Sequence, residues 1–262
     1  MNRALFCLIF ALSSCALSAQ YPGWTNFTYG KEARGVYCDS FYTWVGTGGG
    51  LVRVNRATLE TEYLTRANFG LPANELGQVA YDSMNNLWVL PLESNAIFRY
   101  DGNVWESFIC PEAGAFTDFA VRGPNDIWLG SAYAGLYHFD GAAFTQNAWF
   151  GGPYAYYQSV QGLSCDSLGR IWFGAAHSIE EQWQYNAIIC YDGTQFTLIH
   201  PGDYVNYGSK ISQTAFDSQN TLWAGTQVDG IWRLDGSAWT HYNTSNSGLS
   251  NNYVSALEID PL

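Results

Sequence analysis

The residues that could do chemistry recur or cluster in a few places. Aspartate returns at the end of short apolar runs, as Asp39, Asp82, Asp166, Asp217 and Asp260. Carboxylates in series could serve acid–base catalysis or hold a cation. Beside them stand His138, His177, His200 and His241, the carboxylate pair Glu180-Glu181, and the glycine run Gly46-Thr47-Gly48-Gly49-Gly50. A phosphate-cradling loop needs a helix behind it and usually a lysine. Here Leu51 to Val54 reads as a strand, so the run is a hairpin turn. The histidines lack ligand spacing and have no Asp or Glu partner in register, which argues against a metal centre. Glu180-Glu181 reads as a solvated loop. No Gly-x-Ser-x-Gly elbow exists. The sequence therefore predicts no catalytic residue, no metal and no cofactor.

What must position these residues is a repeat. Trp44, Trp88, Trp128, Trp172 and Trp223 are separated by 44, 40, 44 and 51 residues. Each sits in a similar phrase, such as Thr43-Trp44-Val45-Gly46-Thr47 or Leu222-Trp223-Ala224-Gly225-Thr226. Four parts recur. An apolar run ends in Asp, a short turn leads to the tryptophan strand, a third strand ends in Asp-Gly, and a fourth opens with an aromatic. Asp101-Gly102, Asp140-Gly141, Asp192-Gly193 and Asp235-Gly236 mark the hairpins, followed by Trp105, Phe144, Phe196 and Trp239. A period of roughly 40–50 residues made of short strands is the mark of a β-propeller blade. The expected fold is all-β: a propeller of four-stranded antiparallel blades, five complete and a sixth begun, with an incomplete ring.

The unit resembles the two-component regulator propeller repeat family, whose pattern runs Asp-x-x-Gly-x-Leu-Trp-x-Gly-Thr, Gly-Leu-x-Arg-Tyr-Asp-Gly and Trp-x-x-Tyr. The phrase Gly70-Leu71-Pro72-Ala73-Asn74 matches its interblade segment, and Gly248-Leu249-Ser250-Asn251-Asn252 does so loosely. Two blades depart from the pattern. The third has Arg122-Gly123-Pro124 where Asp-Ser is usual, and the fourth has Gly174-Ala175 for Gly-Thr with a longer loop. The resemblance covers about residues 36 to 260 and implies an extracellular propeller; in membrane-bound relatives these repeats form the sensor of hybrid two-component regulators. The recurring acids also resemble the Asp-box of sialidase-type propellers, itself a structural element. Sialidase chemistry would need an arginine cluster around a carboxylate and a tyrosine nucleophile. Arg53, Arg99 and Arg233 instead share one repeat position, with His138 in their place in the third blade.

Residues 1–19 read as a signal peptide, with Arg3, an apolar core and a small-residue site before Gln20. A second reading takes Leu12-Ser13-Ser14-Cys15 as a lipobox with a lipid anchor at Cys15. Either predicts export, to the medium or the cell surface. Residues 20–35 hold a detached outer strand, Trp24-Thr25-Asn26-Phe27, which would close the last blade. Repeats fill 36–262, the sixth breaking off after Asp260, so the chain reads as truncated or completed by a partner. Without residues 1–19 the net charge goes from −12 to −13, which disfavours nucleic acid and anionic membranes. No stretch is apolar enough to span a bilayer. Cys38, Cys110, Cys165 and Cys190 remain; an even number in an exported chain suits disulfides. The repeat argues otherwise, because Cys38 and Cys165 occupy one blade position as apolar fillers.

Loop length points to a binding face. The turns between strands one and two, and three and four, are minimal. Long insertions gather in the other connections: 147–157 with Trp149, Phe150, Tyr154, Tyr156 and Tyr157; 175–187 with Trp183 and Tyr185; 200–209 with Tyr204 and Tyr207. Aromatics on loops of a rigid scaffold suit ligand binding, although they could equally pack the seams between blades. The sequence thus predicts a non-catalytic ligand-binding or protein-interaction module, with a glycan or protein as partner. The alternatives are the sensor part of a signalling receptor, or a glycan hydrolase or lyase.

Overall fold

The structure, a computed structural model, describes residues 32–147, 159–179, 182–199 and 210–259, the side chains of 176–179 and 182–187 excepted. The expected signal peptide, Cys15, the strand Trp24–Phe27 and Asp260 lie outside the described residues. Five four-stranded antiparallel sheets follow one another along the chain. Blade one holds β1 (Ala33–Cys38), β2 (Tyr42–Thr47), β3 (Gly50–Asn55) and β4 (Thr61–Leu64). Blade two holds β5 (Leu76–Tyr81), β6 (Leu87–Pro91), β7 (Ala96–Tyr100) and β8 (Trp105–Ile109). Blade three holds β9 (Phe116–Gly123), β10 (Asp126–Ser131), β11 (Leu136–Phe139) and β12 (Phe144–Asn147). Blade four holds β13 (Val160–Cys165), β14 (Ile171–Ile179), β15 (Gln182–Tyr191) and β16 (Phe196–Ile199). Blade five holds β17 (Ile211–Phe216), β18 (Leu222–Thr226), β19 (Ile231–Asp235) and β20 (Ala238–Tyr242). Every sheet keeps chain order, inner strand first. Among the described residues helix is confined to α1 (Arg66–Phe69) and a 3-10 turn at Pro111–Ala113.

Consecutive sheets pack face to face, so the core is a series of seams rather than one centre. The five repeat tryptophans are 0–8% exposed, and each reaches forward into the next blade. Trp44 packs with Leu76 and Val79, Trp88 with Phe119 and Phe139, Trp128 with Leu163, and Trp172 with Ile211 and Leu222. Trp223 meets Val254 and Leu257, in an extended segment that continues where a sixth inner strand is expected. That segment is tied to blade five, since Val254 N donates to Thr226 O (2.9 Å) and Ser212 Oγ to Val254 O (2.5 Å).

The glycine two residues after four of these tryptophans has a steric cause. A Cβ on Gly46 would lie 2.6 Å from the carbonyl oxygen of Gly77, and one on Gly130 2.7 Å from that of Val160. On Gly225 it would meet Val254 at 2.7 Å, and on Gly174 it would come closer still to Ile211. Glycine here lets the next inner strand come near. Blade two has Leu90 at this place, fully buried, and β5 and β9 approach each other less than the other neighbouring inner strands do.

Candidate functional site

The recurring acids are occupied inside their own blades. Asp82 Oδ1 accepts from the backbone N–H of Met84 and Asn86 (both 2.9 Å), while Oδ2 accepts from Asn86 Nδ2 (2.8 Å) and Trp88 Nε1 (3.0 Å). Asp39, Asp166 and Asp217 likewise accept from Trp44, Trp172 and Trp223 at 3.0, 3.0 and 3.1 Å. Each carboxylate closes its turn and fixes the indole that enters the next blade. Burial pushes Asp82, Asp166 and Asp217 up, but the hydrogen bonds they accept outweigh it and hold all three below the ordinary carboxylate range.

Blade three solves the same problem with other residues. Arg122 stands where the acid is expected, and Trp128 Nε1 donates instead to Asp126 Oδ1 (3.1 Å), two residues before it. Arg122 Nε donates to Asp126 Oδ2 (2.7 Å), and His138 bonds Oδ1 (2.8 Å) while stacking on Trp128 at 4.6 Å. His241 stacks on Trp232 at 4.1 Å and lies 3.5 Å from Asp229 Oδ1. Both described histidines thus have a carboxylate nearby, contrary to the sequence expectation. The partners come from other strands or turns, and sequence spacing does not register them. No serine or cysteine hydrogen-bonds to either imidazole among the described residues, so neither forms a nucleophile–base pair.

The arginines are distributed one per indole. Arg53, Arg99 and Arg233 lie opposite Trp44, Trp88 and Trp223 in the strand register, while Arg122 reaches Trp128 from the end of β9 and Arg170 reaches Trp172 from a turn. All five guanidinium carbons sit 5.2–5.6 Å from the ring they cover. This is a blade element, and it gathers no arginine cluster around one carboxylate among the described residues. No disulfide joins Cys38, Cys110, Cys165 and Cys190 to one another. Burial pushes Cys165 and Cys190 up to about 11, so they rest as thiols and fill space. No group of three or more His, Cys, Asp or Glu side chains with metal-holding geometry occurs among the described residues.

Most of the aromatic residues expected to bind ligand fall outside what the structure describes. Trp149, Phe150, Tyr154, Tyr156, Tyr157, Tyr204 and Tyr207 lie outside the described residues. The 175–187 insertion, expected as a loop, is the far end of a β-hairpin. Ser178 pairs with Trp183 and Ile179 with Gln182, beyond a bulge between Ala175 and His177. Trp183 and Tyr185 therefore occupy alternate positions of β15. The alternation in Gln182-Trp183-Gln184-Tyr185 carried that strand signal.

What the blades do bring together is an axial cavity of about 290 Å³, lined by all five inner strands and by Ala256 to Ile259. Gln78 of blade two and Gln213 of blade five meet there, Nε2 of the first donating to Oε1 of the second at 3.1 Å. Asp118 stands at the same strand position in blade three. It is buried and accepts from Leu163 N (2.6 Å) and Phe119 N (2.7 Å), latching blade three to blade four. Burial nevertheless pushes its carboxyl up to about 8. Two residues along the strands lie Tyr37, Ser164 and Glu258, and burial pushes Glu258 up to about 8 as well. Sequence reasoning missed this group because its members are single residues on different blades.

Comparison with known proteins bears on the scaffold. No family model and no curated protein matches the chain. Among solved structures it is similar to the extracellular domain of a hybrid two-component system from B. thetaiotaomicron, at 18% identity and a TM-score of 0.64, over 89% of this chain and 31% of that one. It is similar to virginiamycin B lyase from Staphylococcus aureus, at 17% identity and 0.65, over 89% and 75%. A GH74 enzyme from Niastella koreensis matches at 18% and 0.57, over 82% and 37%. The chain spans about a third of the length of the sensor domain it matches. At these identities the likeness is one of fold. The described residues form a β-propeller of five four-stranded blades, and its fold is similar to parts of a two-component system's extracellular domain, a lyase and a GH74 enzyme.

Proposed function

We propose that the protein is an exported, non-catalytic binding module of the two-component regulator propeller repeat type, engaging a glycan or protein through the face that carries its interblade connections. The observation that carries this reading is the occupation of the repeat chemistry. The four described repeat aspartates, the five indoles and five arginines are committed to one another within blades. Variable segments mounted on such a frame are where recognition resides. Trp149, Trp183 and Tyr204 supply apolar faces with polar tips, suited to stacking on sugar rings.

The test is a glycan array probed with the wild type and with Trp149→Ala/Trp183→Ala. Saturable binding by the wild type that falls at least tenfold in the double variant supports the reading. Unchanged binding removes the carbohydrate version. A second reading, the sensor part of a signalling receptor, is favoured by the fold shared with the B. thetaiotaomicron extracellular domain. Export is tested separately, by the intact mass of the protein recovered outside the cell. A chain starting at Gln20 fits the cleaved signal, and one starting at a lipidated Cys15 the anchor.

A further inference from the structure

The axial cavity carries a single charged residue, Glu258, among twenty-one that line it. Among the described residues its carboxylate has no hydrogen-bond partner and no cation faces it from the lining. Beside it lies Tyr37, close enough to feel its charge, and Tyr81 stands one blade further, their rings 6.0 Å apart. Neither hydroxyl has a partner among the described residues. The amides of Gln78 and Gln213 bridge the axis two residues along the strands, roughly 7 Å away. The wall opposite is neutral, with Ser164 Oγ bonded to Thr214 Oγ1 at 2.6 Å.

We infer that this cavity binds a small organic cation bearing an ammonium group, with Glu258 as counter-ion and the Tyr37 and Tyr81 rings flanking the charge. A half-buried carboxyl with no partner among the described residues ionises more readily when a cation enters beside it, and the pair then forms in the cavity. Tyrosine faces attract cations, and hydroxyls can accept from an ammonium. An anion gains nothing from this carboxyl, which ionises only at the cost of repelling it. One carboxylate is too few for a hard metal ion, which takes six or more oxygens. Asp118 does not compete, because backbone N–H groups occupy its oxygens. The cavity is at the small end of ligand sites, roughly 300–1,000 Å³, so the ligand is small.

Binding should also move a proton. The empty site keeps Glu258 largely protonated at neutral pH, since burial pushes it up to about 8. A cation favours the ionised form, so binding releases protons. The other titratable groups around the cavity are Tyr37 on β1, Tyr81 on β5 and Cys165 on β13, with Asp39 at the turn after β1; burial pushes the first three further up, so they stay neutral at pH 7.

The site is separate from the interblade face, so the glycan experiment and this one fail independently. Titration calorimetry of the full chain with n-butylammonium and phenethylammonium, and with n-butanol as the uncharged match, tests it. The expected result is saturable one-to-one binding of an amine, none of butanol, and heats at pH 7 that differ between phosphate and Tris in the sense of proton release. Glu258→Gln should weaken binding at least tenfold. Ala256→Leu, which fills the cavity and leaves the carboxylate in place, should do the same and guards against misfolding of the first variant. The inference is overturned if neither amine saturates, if butanol binds as well, or if both variants bind like the wild type.

Discussion

The seam between blades four and five and the seam between blades two and three use the same indole in different ways. At the first, Trp172 is followed by Gly174, and Ile211 of the next inner strand lies where a Cβ would be. At the second, Trp88 is followed by Leu90, which is buried with Phe116, Phe119 and Phe139, and the inner strands stand further apart. One seam is closed by approach of backbones and the other by side-chain bulk. The glycine of the repeat is therefore a clearance residue; its backbone at Gly174 is one that any residue could adopt. Gln78, on one of these two inner strands, lines the axial cavity, while Asp118, on the other, is buried against blade four.

That comparison can be broken at several points. The largest effect is expected from Trp88→Ala, which empties a fully buried site and removes one of the two hydrogen bonds to Asp82 Oδ2, destabilising by about 3–5 kcal/mol in denaturant titration. Leu90→Ala should follow at about 2–4 kcal/mol, because the wider seam cannot collapse onto the void. Gly174→Ala should cost about 1–3 kcal/mol by overpacking against Ile211. If Gly174→Ala proved neutral, clearance would not explain the motif.

The smallest effects concern pH. Asp82, Asp166 and Asp217 are held below the ordinary range, so their contribution is complete above about pH 4, and it is lost as pH falls through their folded values. Asp118 works in the opposite sense. Its folded value, about 8, lies above the unfolded one, so stability declines as pH rises from about 4 to 8. Melting temperature measured across this range should peak in mild acid. Glu258, raised to the same range, contributes to the same limb, so Asp118→Asn should reduce its slope and leave the acid limb unchanged; an unaltered neutral limb would remove Asp118 as a source.

The blade plan was legible because it is periodic. Trp44 to Trp223, the Asp-Gly turns and the aromatic fourth strands each recur at fixed offsets, and hydrogen bonds between nearby strands turn such offsets directly into structure. The axial group was not legible. Gln78, Gln213 and Glu258 each look like an arbitrary polar residue in its own segment, and only the radial arrangement of the blades, across 135 residues for the two glutamines, makes them neighbours. The substitution in blade three was half legible. Arg122 announced that the acid was missing, but the replacement by Asp126 depends on a carboxylate reaching the indole from the other end of the turn. The extended hairpin of blade four was missed because Gly174-Ala175 was taken as a strand end, although alternation continued to Tyr185.

Because each of the first four indoles is received by the next blade, and the fifth by the segment that follows, all the described seams have the same polarity. A duplicated or deleted repeat would present its neighbours with a surface of a kind they already accept. The number of sectors can then change by recombination between tandem copies, without inventing a new contact. The circumference, and with it the bore, becomes an inherited variable rather than a fixed property.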